Sequence, residues 1–279
     1  MEYKKNIFFF CILFIINLVK SEYIYNALDL KKEDVCYYPL LFEQIYTLFP
    51  NKSTIIKCFN KIQQDDPWRV GNILKAFNLC FSKEEVMKSY VYRKPFILIE
   101  GNNKMITKEV SRLVAKKVGA KYSYTPPECM AGLINSYRYE HIGKTAFYAL
   151  ALYAASYEIK QTLFSGTAVV MNGYWTDQVS VVLLNTFKKS EMPVQGSKVY
   201  NLPPDLIAPH SFIYLHTPSS YGDFGLGRTS NLMHRMHEIY SNFNIIPKNI
   251  VTTKQNIADT FNDVYAIIQT QIGNKFNLP

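Results

Sequence analysis

The feature that most constrains the fold of this chain is the stretch FILIEGNNKMITKEVSRLVAKKVGA at residues 96–120. Its first five residues, Phe96 to Glu100, form a short apolar run that predicts a buried β-strand. Gly101 ends the run. From Lys108 onward, apolar side chains recur at helical spacing, at Val110, Val114 and Val118. A strand, a glycine, a short loop and a helix are the elements that surround a phosphate-binding loop.

The residues that make such a loop work are missing. Of the pattern G-x-x-x-x-G-K-[ST], the chain keeps only the first glycine, Gly101. Ile106 stands where a second glycine would let the backbone curl around phosphate, and a β-branched residue resists that conformation. Thr107 takes the place of the lysine, and Lys108 that of the hydroxyl that binds Mg²⁺. Lys104 and Lys108 still supply positive charge, and the helix N-terminus is expected to offer free N–H groups, so the sequence leaves anion binding open.

The N-terminus has the features of a secretory signal peptide. Lys4 and Lys5 precede an apolar run at residues 7–19, and small residues stand at the −3 and −1 positions before Glu22. We expect residues 1–21 to be cleaved, which gives a secreted protein with no further membrane association. An uncleaved signal anchor is the alternative, although the run is short for a membrane span. A mitochondrial presequence would be rich in arginine, and this segment has none.

The cysteines and one glycosylation sequon agree with export. Four cysteines remain after signal cleavage, an even number suited to an oxidising compartment, namely Cys36, Cys58, Cys80 and Cys129. Three of them precede residue 94, so oxidation of all four within one chain would join one of these three to Cys129. One N-terminal disulfide with two free thiols is the alternative. The sequon Asn51-Lys52-Ser53 predicts a glycan on Asn51.

Charge and histidine content point to neither nucleic acid nor metal. The net charge is +9, but the lysines are scattered, which indicates a solvated basic surface. His234 and His237 lie one predicted helical turn apart beside Glu238, without a third ligand, so we interpret them as a solvated helix face. The cysteines lack C-x-x-C spacing, and no zinc site is expected.

The chain is predicted to have two regions after the signal. Residues 22–94 carry short amphipathic stretches and are interpreted as a small helical region. From residue 95 to residue 279 strand and helix patterns alternate, which predicts an α/β fold with a parallel sheet flanked by helices. The predicted strands are residues 96–100, 121–124, 167–171, 211–215 and 249–252. The predicted helices are residues 108–117, 143–161, 178–187, 232–243 and 257–272. Ligands of such sheets bind at the carboxyl ends of the strands.

Four further motifs follow the opening segment in order along the chain. They are Thr125-Pro126-Pro127, Ala146-Phe147-Tyr148-Ala149-Leu150, Val169-Val170-Met171-Asn172-Gly173-Tyr174-Trp175 and Leu202-Pro203-Pro204-Asp205-Leu206. Together with FILIEG, their order and spacing resemble those of the thymidylate kinase superfamily, and most closely its mitochondrial UMP-CMP kinase branch. The resemblance covers residues 96–273. It implies a P-loop nucleoside monophosphate kinase fold and, by analogy with the family, a homodimer.

The resemblance also implies which residues would line a nucleotide site. The degenerate phosphate loop would contribute Gly101, Asn103, Lys104, Thr107 and Lys108. The monophosphate side would contribute Pro126, Pro127, Asn172, Tyr174 and Trp175. For the two aromatic residues of that set, core packing is the default expectation at a strand end, and stacking on a base is the other role. Arg228 would be the remnant of a mobile lid that carries several arginines in the family.

The family transfers a phosphoryl group from ATP, which requires Mg²⁺ and positive charge around the moving group. The residues that would supply them are replaced here. The acid of the loop is Asn103, the Asp-Arg pair of the third strand is Asn172-Gly173, the asparagine of the long helix is Leu152, and the arginine after the proline pair falls near Ile134.

This selective loss predicts a catalytically degenerate protein. It would need no cofactor and would act by binding a nucleotide-like ligand or a protein partner. The alternative is an active kinase that uses ATP and Mg²⁺ to phosphorylate UMP, CMP or dTMP, with Lys104, Lys108 and Arg228 in the active site.

Overall fold

The computed structural model describes residues 48–49, 51–81, 94–136, 141–218, 230–245 and 247–279. The predicted signal peptide, Cys36, Arg228 and the segment that the resemblance assigns to the lid lie outside these residues. Among the described residues, no helix is both long and apolar enough to cross a membrane.

The centre of the molecule is a sheet of five parallel strands in the order β2-β3-β1-β4-β5. The strands are β1 (Phe96–Gly101), β2 (Lys121–Tyr124), β3 (Val169–Asn172), β4 (Ser211–His216) and β5 (Lys248–Thr252). β1 lies in the middle, where Ile97 is in register with Val170 of β3 and with Ser211 of β4. β5 pairs with β4 and forms one edge. The predicted parallel sheet is confirmed.

Helices surround the sheet. The first five are α1 (Lys52–Ile62), α2 (Pro67–Leu79), α3 (Lys104–Val118), α4 (Glu128–Ala131) and α5 (His141–Phe164). They are followed by α6 (Trp175–Thr186), α7 (Ser230–Asn242), α8 (Ile257–Ile268) and α9 (Asn274–Phe276). A single π-helical segment, Gln269–Gly273, joins the last two. The helix predicted from Lys108 is wrong at its start, because α3 begins at Lys104.

Both faces of the sheet are covered, as continuous apolar strands require. Alternate residues of β1 point to opposite faces, so Ile97 and Ile99 belong to one apolar cluster and Phe96 and Leu98 to another. The first cluster is completed by α3 and α8, through residues such as Val114. The second is completed by α5, α6 and α7, together with the N-terminal helices.

The N-terminal helices share the second core. Their buried side chains belong to the same cluster as those of α5, and they are Ile55, Cys58, Phe59, Val70, Ile73 and Phe77. The side chain of Asn51 caps α1 by accepting a hydrogen bond from the Thr54 amide at 3.0 Å. Asp66 caps α2 in the same way, with Pro67 at the first helical position.

A disulfide joins this N-terminal region to the α/β region. Cys80, directly after α2, is bonded to Cys129 in α4, with the two Cα atoms 5.7 Å apart. This is the cross-region pairing that the cysteine count predicted on full oxidation. Cys58 is also disulfide-bonded.

Candidate functional site

The carboxyl ends of the strands bring most of the sequence-predicted site residues to one edge of the sheet. Gly101 to Lys108 form the junction between β1 and α3. Asn172, Tyr174 and Trp175 form the junction between β3 and α6. Pro126 and Pro127 follow β2, and the Thr125–Pro126 peptide bond is cis. Strand, loop and helix are therefore arranged as at a ligand site of an open parallel sheet.

The junction between β1 and α3 is too short to form a phosphate-binding loop. Only Asn102 and Asn103 separate the last residue of the strand from the first residue of the helix. The helix packs closely on the strand, since a Cβ atom on Gly101 would lie 2.5 Å from Thr107 Oγ1 and 2.7 Å from the Leu215 carbonyl oxygen. Thr107, at the position of the expected lysine, is 1% exposed and donates a hydrogen bond to the Asn103 carbonyl at 2.6 Å. The glycine is required for close packing rather than for approach to a ligand.

Asn103 blocks part of the helix N-terminus. Its Oδ1 atom accepts hydrogen bonds from the Met105 amide at 3.1 Å and from the Ile106 amide at 3.2 Å. These are N–H groups that an anion would need at a helix start. The expectation that they are free is therefore wrong, because the Asn103 side chain caps the helix.

Asn102 closes the gap between β1 and β4. Its side-chain amide donates to the Thr217 carbonyl at 2.9 Å, and its Oδ1 atom accepts from the Thr217 amide at 2.7 Å. Asn102 is itself buried. This pair of hydrogen bonds fixes the two strand ends together at the point where a ligand would have to enter.

The two lysines do not converge on a common point of this edge. Lys104 Nζ lies 3.9 Å from the Asp177 carboxylate in the first turn of α6, and its side chain is about half exposed. Lys108 is exposed on α3. The positive charge nearest the junction therefore faces a carboxylate of the chain itself.

A buried carboxylate, Glu100, lies at the end of β1. It accepts hydrogen bonds from the Tyr174 amide at 2.6 Å, from Thr176 Oγ1 at 2.5 Å and from Tyr240 Oη at 2.9 Å. Burial, and after it repulsion from Asp177, raises the pKa of Glu100 to about 7, although the three hydrogen bonds act in the opposite direction. Glu100 is therefore buried and is held by hydrogen-bond donors of the chain itself.

The aromatic residues of the monophosphate side are packed into the core. Tyr174 is buried, and its hydroxyl donates to the Ile207 carbonyl at 3.2 Å. Trp175 is 8% exposed, with its ring edge-on to that of Phe243. Beside them, Thr125 Oγ1 donates to the Gly173 carbonyl at 2.8 Å and links the ends of β2 and β3. The core-packing interpretation of the two aromatic residues agrees with this placement.

The groove between α5 and α6 is filled by the N-terminal region. Leu48 and Phe49 lie in it against side chains that include Leu152 and Trp175. The cavity left beside them measures about 10 Å³. That is room for one water molecule and not for a nucleobase.

Of the two histidines that we interpreted as a solvated helix face, one does not fit that interpretation. His237 is not fully solvated, since its ring stacks on Tyr214 and lies 4.2 Å from that of His216. Burial, followed by repulsion from neighbouring histidines, lowers the pKa of His216 and of His237. His234 fits the interpretation better, because it is exposed and its Nε2 atom lies 3.1 Å from Glu238. The described residues contain no group of three or more His, Cys, Asp or Glu side chains that could hold a metal ion.

The fold matches a known structure. A solved thymidylate kinase from Candida albicans superposes with a TM-score of 0.50 at 15% sequence identity, and the match covers 64% of this chain and 92% of that one. The chain has a thymidylate-kinase-like fold. No protein-family model and no curated protein sequence matches the chain. At this identity the likeness concerns the fold, and the closer resemblance to UMP-CMP kinase stays a prediction.

Within this thymidylate-kinase-like fold, sequence reasoning missed three polar residues that organise the edge. Glu100 and Asn102 flank Gly101, and Asp177 opens α6. A signal was present for Glu100, because a carboxylate at the end of an apolar strand has to find buried donors. Asp177 and Asn102 gave no such signal, since their partners come from segments distant in sequence.

Proposed function

We propose that this chain is a secreted protein with a thymidylate-kinase-like fold that does not transfer phosphate and that acts by binding. The observation that carries the proposal is the closed junction between β1 and α3, where the Asn103 side chain occupies amide groups of the helix start. A protein that positions ATP needs those groups, and here they are used internally.

Charge supports the same proposal. Phosphoryl transfer depends on positive groups and Mg²⁺ around the moving phosphoryl. At the described edge, Lys104 is turned towards the carboxylate of Asp177. With Lys104 facing a carboxylate and Lys108 in place of the hydroxyl that would bind Mg²⁺, these residues do not fit a bound Mg²⁺–ATP complex.

Of the two kinds of binding, the filled groove favours a protein partner over a nucleotide-like ligand. A nucleotide needs a cavity of several hundred Å³, whereas the groove between α5 and α6 retains about 10 Å³. Large apolar side chains such as Trp68 and Met105 are well exposed on the surface and are available for contact with another protein.

The test of lost catalysis is a coupled phosphotransfer assay on the secreted protein with ATP, Mg²⁺ and UMP, CMP or dTMP. We expect no turnover, because several groups that act together are missing and restoring one or two of them does not restore the rate. The matched variant Ile106→Gly/Thr107→Lys should stay inactive as well. Mg²⁺-dependent turnover at kinase rates of ~1–100 per second would establish the active-kinase alternative.

Export is the second part of the proposal. We expect the mature chain to begin near Glu22 and to carry a glycan on Asn51, whose Oδ1 atom caps α1 and accepts a hydrogen bond from Ser53 Oγ at 2.7 Å. N-terminal sequencing and a glycosidase mobility shift test the two points. The variant Ser53→Ala destroys the sequon and keeps the Asn51 cap, so it is the control for the shift. Recovery of the protein with its first residues intact in a mitochondrial fraction would refute export.

A further inference from the structure

The groove between α5 and α6 has the lining of a site for an aromatic ring. Its walls are the side chains of Leu152 and Val179 and the ring of Trp175, all of them buried. Tyr153 and Gln178 supply polar groups to the lining, and the Gln178 amide donates to the Thr145 carbonyl at 3.0 Å. Apolar walls with a few polar groups are typical of pockets that accept a flat, largely apolar ligand.

We propose that this groove is a binding site for an aromatic ring that the chain fills in cis with Phe49. Phe49 is 6% exposed, although it lies only three residues before the start of α1 at Lys52. It belongs to the same apolar cluster as Leu152 and Trp175. An external ligand of the groove would have to be an aromatic molecule that displaces this ring.

A carboxylate of the α/β region holds the segment that follows Phe49 in place. Asp205 Oδ2 accepts a hydrogen bond from the Lys52 amide, the first residue of α1, at 3.1 Å. Asp205 Oδ1 accepts another from the Tyr153 hydroxyl at 2.8 Å. Tyr153 also lines the groove, so a single carboxylate joins the start of α1 to the wall against which Phe49 packs. Negative charge is favourable at a helix N-terminus, which adds to this anchor.

Occupation of the groove by Phe49 is separate from the loss of phosphotransfer. Loss of phosphotransfer follows from the junction between β1 and α3 and does not require that the groove be filled. With Phe49 in the groove between α5 and α6, an external aromatic ligand can bind there only if it displaces the Phe49 ring. The N-terminal region therefore competes with such a ligand.

The two tryptophans of the chain provide a direct test. Trp68 is 78% exposed and Trp175 lines the groove, so Trp68→Phe leaves a single reporter inside the site. In that background, Phe49→Ala should shift the emission of Trp175 to longer wavelength and raise its quenching by acrylamide. Adding benzene should reverse both changes and raise the melting temperature of this variant, because an apolar cavity of ring size binds such a molecule.

The control is Phe261→Ala in the same background. Phe261 packs against the apolar cluster on the opposite face of the sheet, so its loss removes a ring without opening the groove. We expect neither the spectral shift nor the response to benzene in this variant. An unchanged Trp175 signal in Phe49→Ala, or an equal response to benzene in the parent protein, would overturn the inference.

Two milder variants keep the test decisive if Phe49→Ala does not fold. Phe49→Leu keeps an apolar side chain without the ring and should give a smaller rise in quenching. In Asp205→Asn only one side-chain oxygen remains, so the variant can keep one of the two hydrogen bonds and loses the other. It should also raise the quenching of Trp175 by acrylamide. Quenching equal to that of the parent in both variants would contradict the inference.

Discussion

At the scale of single residues, short polar side chains close the edge where a nucleotide would bind. Asn103 takes up two amides of the helix start, and Asn102 fixes the end of β1 to Thr217. A capping side chain of this kind stabilises a helix by about 1 kcal/mol. The Asn103 side chain therefore has a structural role at the start of α3.

Glu100 gives a prediction about pH. Its pKa is raised from 4.5 to about 7 in the folded chain, mainly by burial, so the folded state binds the proton more tightly than the unfolded state. Its contribution to the free energy of unfolding is complete below pH 4.5 and is lost as the pH rises through 7. Each tenfold step in proton affinity is worth about 1.4 kcal/mol, so the loss is on the order of 3 kcal/mol.

The measurement is the free energy of unfolding by denaturant from pH 4.5 to pH 8 for the parent and for Glu100→Gln. The amide can accept from the Tyr174 amide and donate to a hydroxyl, but it does not titrate. We expect stability to fall with pH more steeply in the parent. The half-buried histidines have lowered pKa values and act in the opposite sense in both proteins, so they cancel in the difference. If the free energy of unfolding falls equally steeply with pH in the parent and in Glu100→Gln, the raised pKa of Glu100 is refuted.

At the scale of elements, the N-terminal helices are fastened to the α/β region in two ways. The Cys80–Cys129 disulfide joins the end of α2 to α4, and Asp205 joins the start of α1 to α5. Their apolar side chains complete the core on that face of the sheet. These helices are therefore structural parts of the core on that face of the sheet.

The disulfide should contribute measurably to stability. It closes a segment of 49 residues, and a crosslink over such a loop stabilises by ~2–4 kcal/mol through restriction of the unfolded chain. The double variant Cys80→Ser/Cys129→Ser should lose about that much free energy of unfolding, measured by denaturant titration without reductant. Non-reducing peptide mapping is the accompanying check. Alkylation of Cys129 in the native, unreduced protein would contradict the pairing.

At the scale of the whole molecule, the fold followed from the sequence because strand patterns are local. Each predicted strand is present within two residues, and the parallel arrangement follows from the alternation of strands and helices. The predicted start of α3 was wrong because residues 104–107 were assigned to a phosphate loop. Asn103 is a strong capping residue, and the helix begins directly after it, at Lys104.

The site was less predictable for a physical reason. The sequence predicted a phosphate loop without its lysine from single residues such as Thr107, but several contacts of the site join residues that are distant in sequence. Asn102 reaches Thr217, Glu100 reaches Tyr240, and Phe49 reaches Trp175. No periodicity or motif encodes such pairs, so the closed edge and the filled groove became visible only in three dimensions.

We propose that the phosphate site is closed by the chain itself. Calorimetric titration of the secreted protein with ATP and Mg²⁺ tests this proposal most directly, with the same titration of an active thymidylate kinase as the positive control. We expect no saturable heat from this chain, because Asn103 already caps the amides of the helix start and Lys104 faces Asp177. Saturable binding of one ATP per chain that depends on Mg²⁺ would show that the site is open and refute the proposal.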